Sequence, residues 1–466
     1  MWTQRDQIQA YQFLRRRLVS ALVSADANHP ISPSRRLVMG SVLGLIATLI
    51  VTAAFGIIGI IKPSTSSDWK KPGQVVIEKE TGTRFVITAD GELHPVLNYA
   101  SARLLAGGDG SKTSTVPAKQ LAELGRGAPL GIVDAPDSIP AANRISTGPL
   151  VVCSVGSNDA PAAQAPATVV RWSSTLPGDQ LRTDSLLVTD GRSEQVVNGG
   201  YRYRVPGPAQ AASLQLAASS EVTVSAAWLS VLPSGGDLDF IAVNGAGRPG
   251  PNVAGKAALI GSVLVVPDAG GGGQYYLVLK AGIAPVTPVQ AQLAVNAPPN
   301  AAANPSHKPV AISAAALVGV PTAALPTALA EGQTLTALPR LVDGVGRASP
   351  ICLAVADGGT TAVAVAPAGT DVVAGASAPS STTALGASAI AIAPGTGGLI
   401  ENRSSGTAET RYLLADDGVK YPVPSDAAQA ALGYAKLTPV VLSDAALALL
   451  PTGPSLDPAA ATEEQK

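Results

Sequence analysis

The sequence predicts a single-pass membrane protein with an α+β extracytoplasmic domain built from four small αβ repeat modules. Two observations carry this prediction. One uncharged apolar run lies near the start of the chain, and a hairpin-plus-helix motif recurs far downstream. The 466 residues also exceed what one ordinary hydrophobic core organises, so more than one packed unit is expected.

The apolar run LVMGSVLGLIATLIVTAAFGIIGII occupies residues 37–61 and contains no charge. About 20 apolar residues in a helix cross a bilayer core, so the run predicts one transmembrane helix with room for tilt. A cleaved signal peptide would have a shorter apolar region, of about 7–15 residues, followed by a small-residue cleavage site. The residues that follow, KPSTSSDWKKPG, contain no such site, which favours a retained span.

The charges on either side of this run set its orientation. Lysines mixed with acidic residues follow it, whereas arginines precede it: Arg5, Arg15, Arg16, Arg17, Arg35 and Arg36. This bias favours a cytoplasmic N-terminus. The predicted organisation is a cytoplasmic arm (1–36), the span (37–61), a juxtamembrane linker (62–74), an extracytoplasmic repeat domain (75–450) and a disordered tail (451–466).

The cytoplasmic arm predicts one amphipathic helix. Thr3 and Asp6 have the spacing of a capping box. Apolar residues fall near one helical face with arginines beside them: Ile8, Tyr11, Leu14, Leu18 and Leu22, with Arg15, Arg16 and Arg17. Such a helix either lies on anionic lipid or docks a cytoplasmic partner, and the sequence leaves both alternatives open.

The two outer copies of the repeat match best. FVITADGELHPV begins at residue 85 and YLLADDGVKYPV at residue 412, so three positions correspond: Phe85 with Tyr412, Gly91 with Gly418, and Pro95 with Pro422. The pairs Asp90-Gly91 and Asp417-Gly418 lie between extended runs and predict type I′ hairpin turns, which need φ > 0 at both central positions. Because proline cannot donate to a ladder, each proline predicts a strand end or a sheet edge.

Two weaker copies lie between the outer pair. SLLVTDGRSEQVV keeps Asp190-Gly191, and YYLVLKAGIAPV keeps Gly282 and Pro285. The four repeats are predicted near residues 85–107, 185–216, 275–295 and 411–434, a spacing too irregular for a solenoid. Segments between them also predict strands, at residues 221–228, 257–267 and within 354–398, and residues 297–309 predict a flexible linker.

Composition and motifs give little support for chemistry. The net charge is −1 and no basic stripe is present, so nucleic-acid binding is not expected. The segment GPNVAGKAA offers Gly250, Gly255 and Lys256 in the spacing of a phosphate loop, but alanine stands where serine or threonine should hold magnesium. No group of histidines and cysteines has metal-ligand spacing, no histidine has the context of a catalytic triad, and a carboxylate-based glycosidase is unsupported.

The chain has two cysteines, Cys153 and Cys352. Outside the cytoplasm they can oxidise, whereas a cytosolic chain would keep both thiols reduced. Pairing them would close a loop of about 200 residues, for which a chain-entropy estimate is about 5 kcal/mol.

The order of these features resembles the EccB family, a membrane subunit of type VII (ESX) secretion systems. Several stretches carry the resemblance: YQFLRRRLVSALV before SRRLVMG and the span, GELHPVLNYASARLLAG after it, GRGAPLGIVDAPDSIP, GPLVVCSV and LALLPTGPSLDPAAA. The stretch HPVLNYASARLL is the most specific of these.

The resemblance implies a scaffold role in the inner (cytoplasmic) membrane. It implies an elongated extracytoplasmic domain with four repeat modules around a central β core, pinned by a Cys153–Cys352 disulfide. The implied partners are EccC, EccD and EccE subunits, a mycosin-like protease, further copies of the same chain (a dimer or higher oligomer) and the lipid bilayer. No catalytic residue, metal or cofactor is expected, although family members are sometimes labelled ATPases and ATP is the one alternative ligand.

Three functional hypotheses follow. The leading one is a structural core component that braces the secretion channel and presents a scaffold for protein export. The second is an ATP-hydrolysing subunit of the same system that uses the degenerate phosphate loop. The third is a module that binds the cell wall through its αβ repeats.

Overall fold

The computed structural model describes residues 3–25, 33–61, 67–107, 113–156, 165–173, 175–216, 221–270, 272–325, 333–381, 385–402 and 410–465. The chain divides into two compact units, Met1–Trp69 and Lys70–Lys466. The second unit is called the large domain below.

The first unit consists of two helices, α1 (Gln4–Ser24) and α2 (Pro33–Ile61). The predicted capping box at the start of α1 is confirmed, because the Thr3 backbone N–H and hydroxyl both donate to the Asp6 carboxylate. Within α2, the stretch Val38–Phe55 is long and apolar enough to cross a membrane. Its large apolar side chains are exposed, as suits a helix surrounded by lipid.

The large domain contains eight further helices and twenty-four strands among the described residues. The helices are α3 (Tyr99–Ala106), α4 (Ala118–Leu121), α5 (Pro208–Ser213), α6 (Ala226–Val231), α7 (Pro288–Val295), α8 (Asp426–Ala431), α9 (Asp444–Leu447) and α10 (Pro458–Ala461). The strands are β1 (Val75–Glu78), β2 (Arg84–Ile87), β3 (Leu93–Pro95), β4 (Thr113–Val116), β5 (Leu150–Val155), β6 (Ala167–Trp172), β7 (Asp179–Gln180), β8 (Leu186–Thr189), β9 (Glu194–Asn198), β10 (Tyr201–Val205), β11 (Glu221–Thr223), β12 (Pro249–Val253), β13 (Lys256–Leu259), β14 (Val263–Pro267), β15 (Gly273–Leu279), β16 (Gly282–Val286), β17 (Val310–Ala311), β18 (Ile351–Ala356), β19 (Gly359–Val365), β20 (Ala389–Ala391), β21 (Gly398–Asn402), β22 (Thr410–Leu414), β23 (Lys420–Val423) and β24 (Val440–Leu442).

Four four-stranded sheets share one plan and define the modules. In each, three strands form an antiparallel meander, a helix follows, and a fourth strand returns parallel to the first: β1–β4 with α3 in module 1, β8–β11 with α5 in module 2, β14–β17 with α7 in module 3, and β21–β24 with α8 in module 4. Modules 1, 3 and 4 therefore begin one strand before the predicted repeat, whereas module 2 begins with it, and all four modules end one strand after it.

The alignment of the outer repeats is confirmed by strand register. Phe85 pairs with Pro95 in module 1, and Tyr412 pairs with Pro422 in module 4. Both prolines lie on an edge strand, as predicted.

The predicted type I′ turns at the outer repeats are wrong. Only the glycines have positive φ, 83° at Gly91 and 80° at Gly418, whereas neither aspartate does. Backbone bonds from Gly91 N–H to the Thr88 carbonyl and from Gly418 N–H to the Ala415 carbonyl close three-residue loops with a left-handed glycine at the end.

The assignment of Asp190-Gly191 also needs correction. This turn joins the first two strands of module 2, β8 and β9, whereas the outer pairs join the second and third strands. The equivalent turn of module 2 is Gly199-Gly200, where both glycines have positive φ and the type I′ geometry does occur. Pro285 lies on the third strand of module 3 as expected, but Gly282 opens that strand and the turn itself is at residues 280–281.

A six-stranded sheet forms the centre of the large domain, in the order β20-β6-β5-β18-β19-β7. Strands β5 to β7 come from the chain between modules 1 and 2, and β18 to β20 from the chain between modules 3 and 4. Two distant segments therefore complete one sheet, with Trp228 of α6 among the side chains buried on one of its faces. This is the central β core that the resemblance implies.

The modules pack in two pairs. Module 1 meets module 4 in a core that joins Leu104 of α3 to Leu413 and Leu432. Module 2 meets module 3 in a core that joins Leu187 to Leu277 and further apolar residues of both modules. The first and last repeats in the sequence are thus neighbours in space.

Three segments differ from prediction because tertiary contacts order them. The tail carries α10, and its Leu456 is fully buried and donates from its N–H to the Pro422 carbonyl. The supposed linker forms a 3₁₀ helix (Pro298–Ala303), in which the buried Asn300 side chain bonds three backbone groups. The predicted strand at residues 221–228 is a short strand followed by α6.

Candidate functional site

Every module is completed by a covering segment that pairs with its third, edge strand. The paired residues are Leu93 with Arg126, Arg202 with Ser234, Ile283 with Thr322, and Lys420 with Thr452, all in parallel. In each case this residue of the edge strand exchanges two backbone hydrogen bonds with the covering segment. The segments thus satisfy backbone groups that would otherwise lie open at a sheet edge and invite unspecific pairing.

Glycines in three covering segments make room for a ring on the edge strand. A Cβ on Gly127 would lie 2.1 Å from Cε1 of His94, and one on Gly453 would lie 2.3 Å from Cε1 of Tyr421. Gly235 stands in the same relation to Tyr203 in module 2. These slots fix the positions of one histidine and two tyrosines.

The covering segments are features that sequence reasoning missed, although a signal is present. Leu232-Pro233-Ser234-Gly235 and Leu450-Pro451-Thr452-Gly453 are near-identical, and Val320-Pro321-Thr322-Ala323 and Leu124-Gly125-Arg126-Gly127 are variants of the same pattern. Searching for this four-residue pattern after each predicted helix would have given the end of each module.

The slot residue of module 1 lies beside two carboxylates. Asp90, Glu92 and His94 bring one potential ligand atom each within 4.8 Å of one another. Nδ1 of His94 is 2.8 Å from the carbonyl oxygen of Ala128, and Nε2 is buried without a hydrogen-bond partner. Of the other histidines, His307 lies in a left-handed turn, and His29 lies outside the described residues.

The equivalent slot of module 4 is internally satisfied. The hydroxyl of Tyr421 donates to Oδ2 of Asp417 at 2.6 Å. Burial, with the neighbouring Asp417 carboxylate as a second cause, raises the pKa of Tyr421 above its usual value. Lys420 on the same strand is buried and donates from Nζ to the Leu450 carbonyl, and burial lowers its pKa from 10.5 to about 8.

The phosphate-loop residues form a β-hairpin instead of a nucleotide cradle. Gly250 lies in β12, Lys256 opens β13, and Ala254 and Gly255 form the two-residue turn with positive φ at both positions. A phosphate loop needs a helix N-terminus directly after the glycine-rich turn, so that backbone N–H groups converge on the phosphates. Here a strand follows, so the interpretation of these residues as a nucleotide site loses its structural basis.

The two cysteines form a disulfide between neighbouring strands of the central sheet. Cys153 of β5 lies opposite Cys352 of β18, and both are fully buried. The bond links the two segments that build this sheet, across a sequence separation of 199 residues.

A cleft of about 300 Å³ lies between modules 2 and 3 and is lined by Leu238, Phe240 and Leu293 among other residues. Its two carboxylates are engaged in structural contacts, because Asp237 pairs with Arg204 and Asp239 accepts a hydrogen bond from Gln210. The cleft therefore holds no free carboxylate pair of the kind a glycosidase uses.

The apolar side chains on the arm helix α1 are open to the surroundings. Ile8, Tyr11, Leu14, Leu18 and Leu22 are each more than half exposed. Three consecutive arginines lie in the middle of this helix: Arg15, Arg16 and Arg17. The Arg17 guanidinium lies 5.6 Å from the centre of the Phe13 ring.

Comparison with known proteins gives a consistent result. Residues 1–466 match the family model described as "Type VII secretion system ESX-1, transport TM domain B". The ESX-5 secretion system ATPase EccB5 of Mycobacterium tuberculosis (strain ATCC 25618 / H37Rv) is 28% identical over 487 residues, covering 99% of this chain and 93% of that protein. The ESX-2 secretion system ATPase EccB2 of the same strain is 30% identical over 65% of this chain and 60% of that protein.

Solved structures agree with the fold. A chain in the structure of an intact ESX-5 inner membrane complex matches with a TM-score of 0.64 and 26% identity, covering 100% of this chain and 96% of that one. The EccB3 dimer from the ESX-3 core complex matches with a TM-score of 0.65 over 84% of this chain and 99% of that one. At 22% identity the second match concerns the fold alone.

Proposed function

Because the chain belongs to the EccB family of type VII secretion components, we propose that it works as a structural subunit of an inner-membrane secretion complex. The observation that carries the proposal is the central sheet. Two segments separated by modules 2 and 3 complete it, and a buried disulfide joins them. A disulfide across so long a loop stabilises the folded large domain, which suits a subunit that braces its neighbours.

The secretion assay tests this role. A host that lacks its own copy of the gene should regain export with the wild-type chain and with Lys256→Ala, since Lys256 lies on an exposed hairpin in this account. The double variant Cys153→Ser with Cys352→Ser should reduce export and lower the melting temperature under non-reducing conditions. Loss of export and of ATP turnover with Lys256→Ala alone would contradict the proposal and favour the hydrolase alternative.

The proposed topology places the arm in the cytoplasm and the large domain outside it. One candidate spanning helix and the arginine-rich arm support this arrangement. Protease added to intact spheroplasts should then degrade the large domain and leave the arm with its span. Protection of the large domain would contradict the topology and the scaffold role together.

We assign the arm to partner docking, with EccC-, EccD- and EccE-like subunits as the expected neighbours. A mycosin-like protease is the expected partner on the outer side of the membrane. Exposed Tyr11, Leu14 and Leu18 support this role, because an unpaired apolar stripe is costly in water. Leu18→Pro should abolish co-purification of cytoplasmic subunits, whereas Leu18→Ala, which keeps the helix, should only weaken it. Unchanged co-purification with Leu18→Pro would favour a lipid anchor.

A further inference from the structure

Three side chains on the second hairpin of module 1 point their electron-pair donors at one small volume. Asp90 lies in the turn of this hairpin, Glu92 follows the left-handed Gly91, and His94 lies on β3, so the turn itself brings the three side chains together. Their nearest nitrogen and oxygen atoms lie within 4.8 Å of one another. From this arrangement we propose that the site binds one Zn²⁺ ion or a similar first-row divalent cation.

The histidine is held in the tautomer that a metal ligand requires. Nδ1 faces the carbonyl oxygen of Ala128 at 2.8 Å, so Nδ1 must carry the proton and donate. Nε2 lies on the side of the carboxylates, 4.0 Å from Oε2 of Glu92, where its lone pair can bind a cation. Metal-binding histidines usually donate their other ring N–H to a carbonyl or carboxylate in this way.

The buried state of this nitrogen is the second observation. The His94 residue is 7% exposed, and its Nε2 is among the few described buried side-chain atoms without a hydrogen-bond partner. An unpaired buried polar atom is costly, which a cation at this position would relieve. Rotation of the ring is blocked, because it lies against Gly127 in a slot where even a Cβ would not fit.

Comparison with module 4 shows which residues distinguish the surroundings of His94. There the slot holds Tyr421, whose longer side chain reaches Asp417, the counterpart of Asp90. In module 1 the shorter imidazole makes no hydrogen bond through Nε2, and Glu92 stands where module 4 has the apolar Val419. Among the described residues, this is the one group that combines a ring nitrogen with two carboxylates.

The donor set selects the class of cation. One imidazole and two carboxylates suit Zn²⁺ or Mn²⁺-like ions better than Mg²⁺ or Ca²⁺, which favour oxygen ligands alone. Tetrahedral Zn²⁺ keeps its ligand atoms about 3.3 Å apart, so the carboxylates must close in slightly. Glu92 has the freedom to do so, since its side chain is 52% exposed. Water would fill the fourth position.

Calorimetric titration of the tag-free, chelator-treated full chain in detergent with ZnCl₂ tests the proposal. We expect one bound ion per chain. Glu92→Gln and Asp90→Asn should each weaken binding by about tenfold or more, because each removes a charged ligand. Glu123→Gln, an exposed glutamate of the same module, should bind as the wild type does. Excess Mg²⁺ should leave the titration unchanged.

Two results would overturn the site. One is no binding above the buffer control at 100 µM Zn²⁺, and the other is equal affinity in the wild type, Glu92→Gln and His94→Phe. Glu92→Gln guards against a folding artefact, since its melting temperature without zinc should match that of the wild type. The outcome is independent of the scaffold role, which the secretion assay measures with variants that leave these three residues intact.

Discussion

Modules 1 and 4 share one backbone plan and differ in what fills it. Both close their second hairpin with a left-handed glycine, pair an edge-strand proline with an aromatic residue, and accept a covering segment. Where module 1 places Leu93 and His94, module 4 places Lys420 and Tyr421. The comparison teaches that turn chemistry and edge coverage fix the module, while the side chains beneath the covering segment are free to specialise.

Substitution of the slot glycines should have the largest effect on the stability of both modules. Gly453→Val would drive a branched side chain into the Tyr421 ring, and Gly127→Val would do the same at His94. We expect each to lower the free energy of unfolding by about 3 kcal/mol, the upper end for overpacking. Gly91→Ala, which has open space around it, should cost less, about 1 kcal/mol, through its positive φ alone.

Chemical denaturation followed by tryptophan fluorescence measures these differences. Equal costs at the slot and at Gly91 would contradict the steric account of the covering segments.

The next largest difference between the two modules should come from removing the N-cap residues of α3 and α8. Asn98 caps α3 by accepting from the Ser101 N–H, and it also donates to the buried Ile132 carbonyl. Ser425 caps α8 with one bond to the Ala428 N–H. We therefore expect Asn98→Ala to cost about 2 kcal/mol and Ser425→Ala about 1 kcal/mol. The reverse order in thermal unfolding would show that the second bond of Asn98 contributes nothing.

Lys420→Leu would give module 4 the residue that module 1 carries at that position. Burial holds the pKa of Lys420 at about 8 in the folded protein against 10.5 ordinarily, so the unfolded chain binds more protons between these values. Stability of the wild type should therefore rise as pH increases from 8 to 10.5, and be lowest below that window.

Against this background Lys420→Leu should stabilise the protein by about 1 kcal/mol at pH 7, after the lost bond to Leu450 is counted. The gain should shrink as pH approaches 10.5. A pH-independent difference between the two proteins would mean that Lys420 does not titrate in this range.

The last comparison concerns the hydrogen bond of the Tyr421 hydroxyl, where Asp417→Asn should have the smallest effect. Tyr421→Phe removes its bond to Asp417 and should cost about 1 kcal/mol, the usual value for a partly buried hydrogen bond. Asp417→Asn keeps an acceptor for the hydroxyl and should cost less. Both values come from urea denaturation, and a neutral Tyr421→Phe would indicate that water replaces the bond.

The sequence predicted local features well and distant pairings poorly. The outer repeats were found because Asp-Gly and Pro at matched spacing carry a local turn signal. The fourth strand of every module, and the first strand of modules 1, 3 and 4, fell outside the predicted repeats, because these strands carry no turn signal comparable to Asp-Gly. Asp190-Gly191 was recognised as a turn but placed in the wrong hairpin, because turn residues do not say which strands they join.

Tertiary contacts explain the remaining differences. The proline- and alanine-rich stretch around Asn300 has the composition of a linker, and its order comes from buried hydrogen bonds to distant backbone groups. The tail is ordered by Leu456 in the shared core of modules 1 and 4. The cluster at His94 was missed because the features that single it out depend on distant residues: Gly127 packs against the ring, and the carbonyl of Ala128, 34 residues away, faces Nδ1.

The central claim is that this chain is a structural subunit within a membrane complex. Purification of the full chain from detergent-solubilised membranes of a host with an intact secretion locus, followed by mass measurement, tests it most directly. The account predicts a large assembly that contains several copies of this chain with stoichiometric membrane partners. Elution of the chain alone, as a monomer, would contradict it.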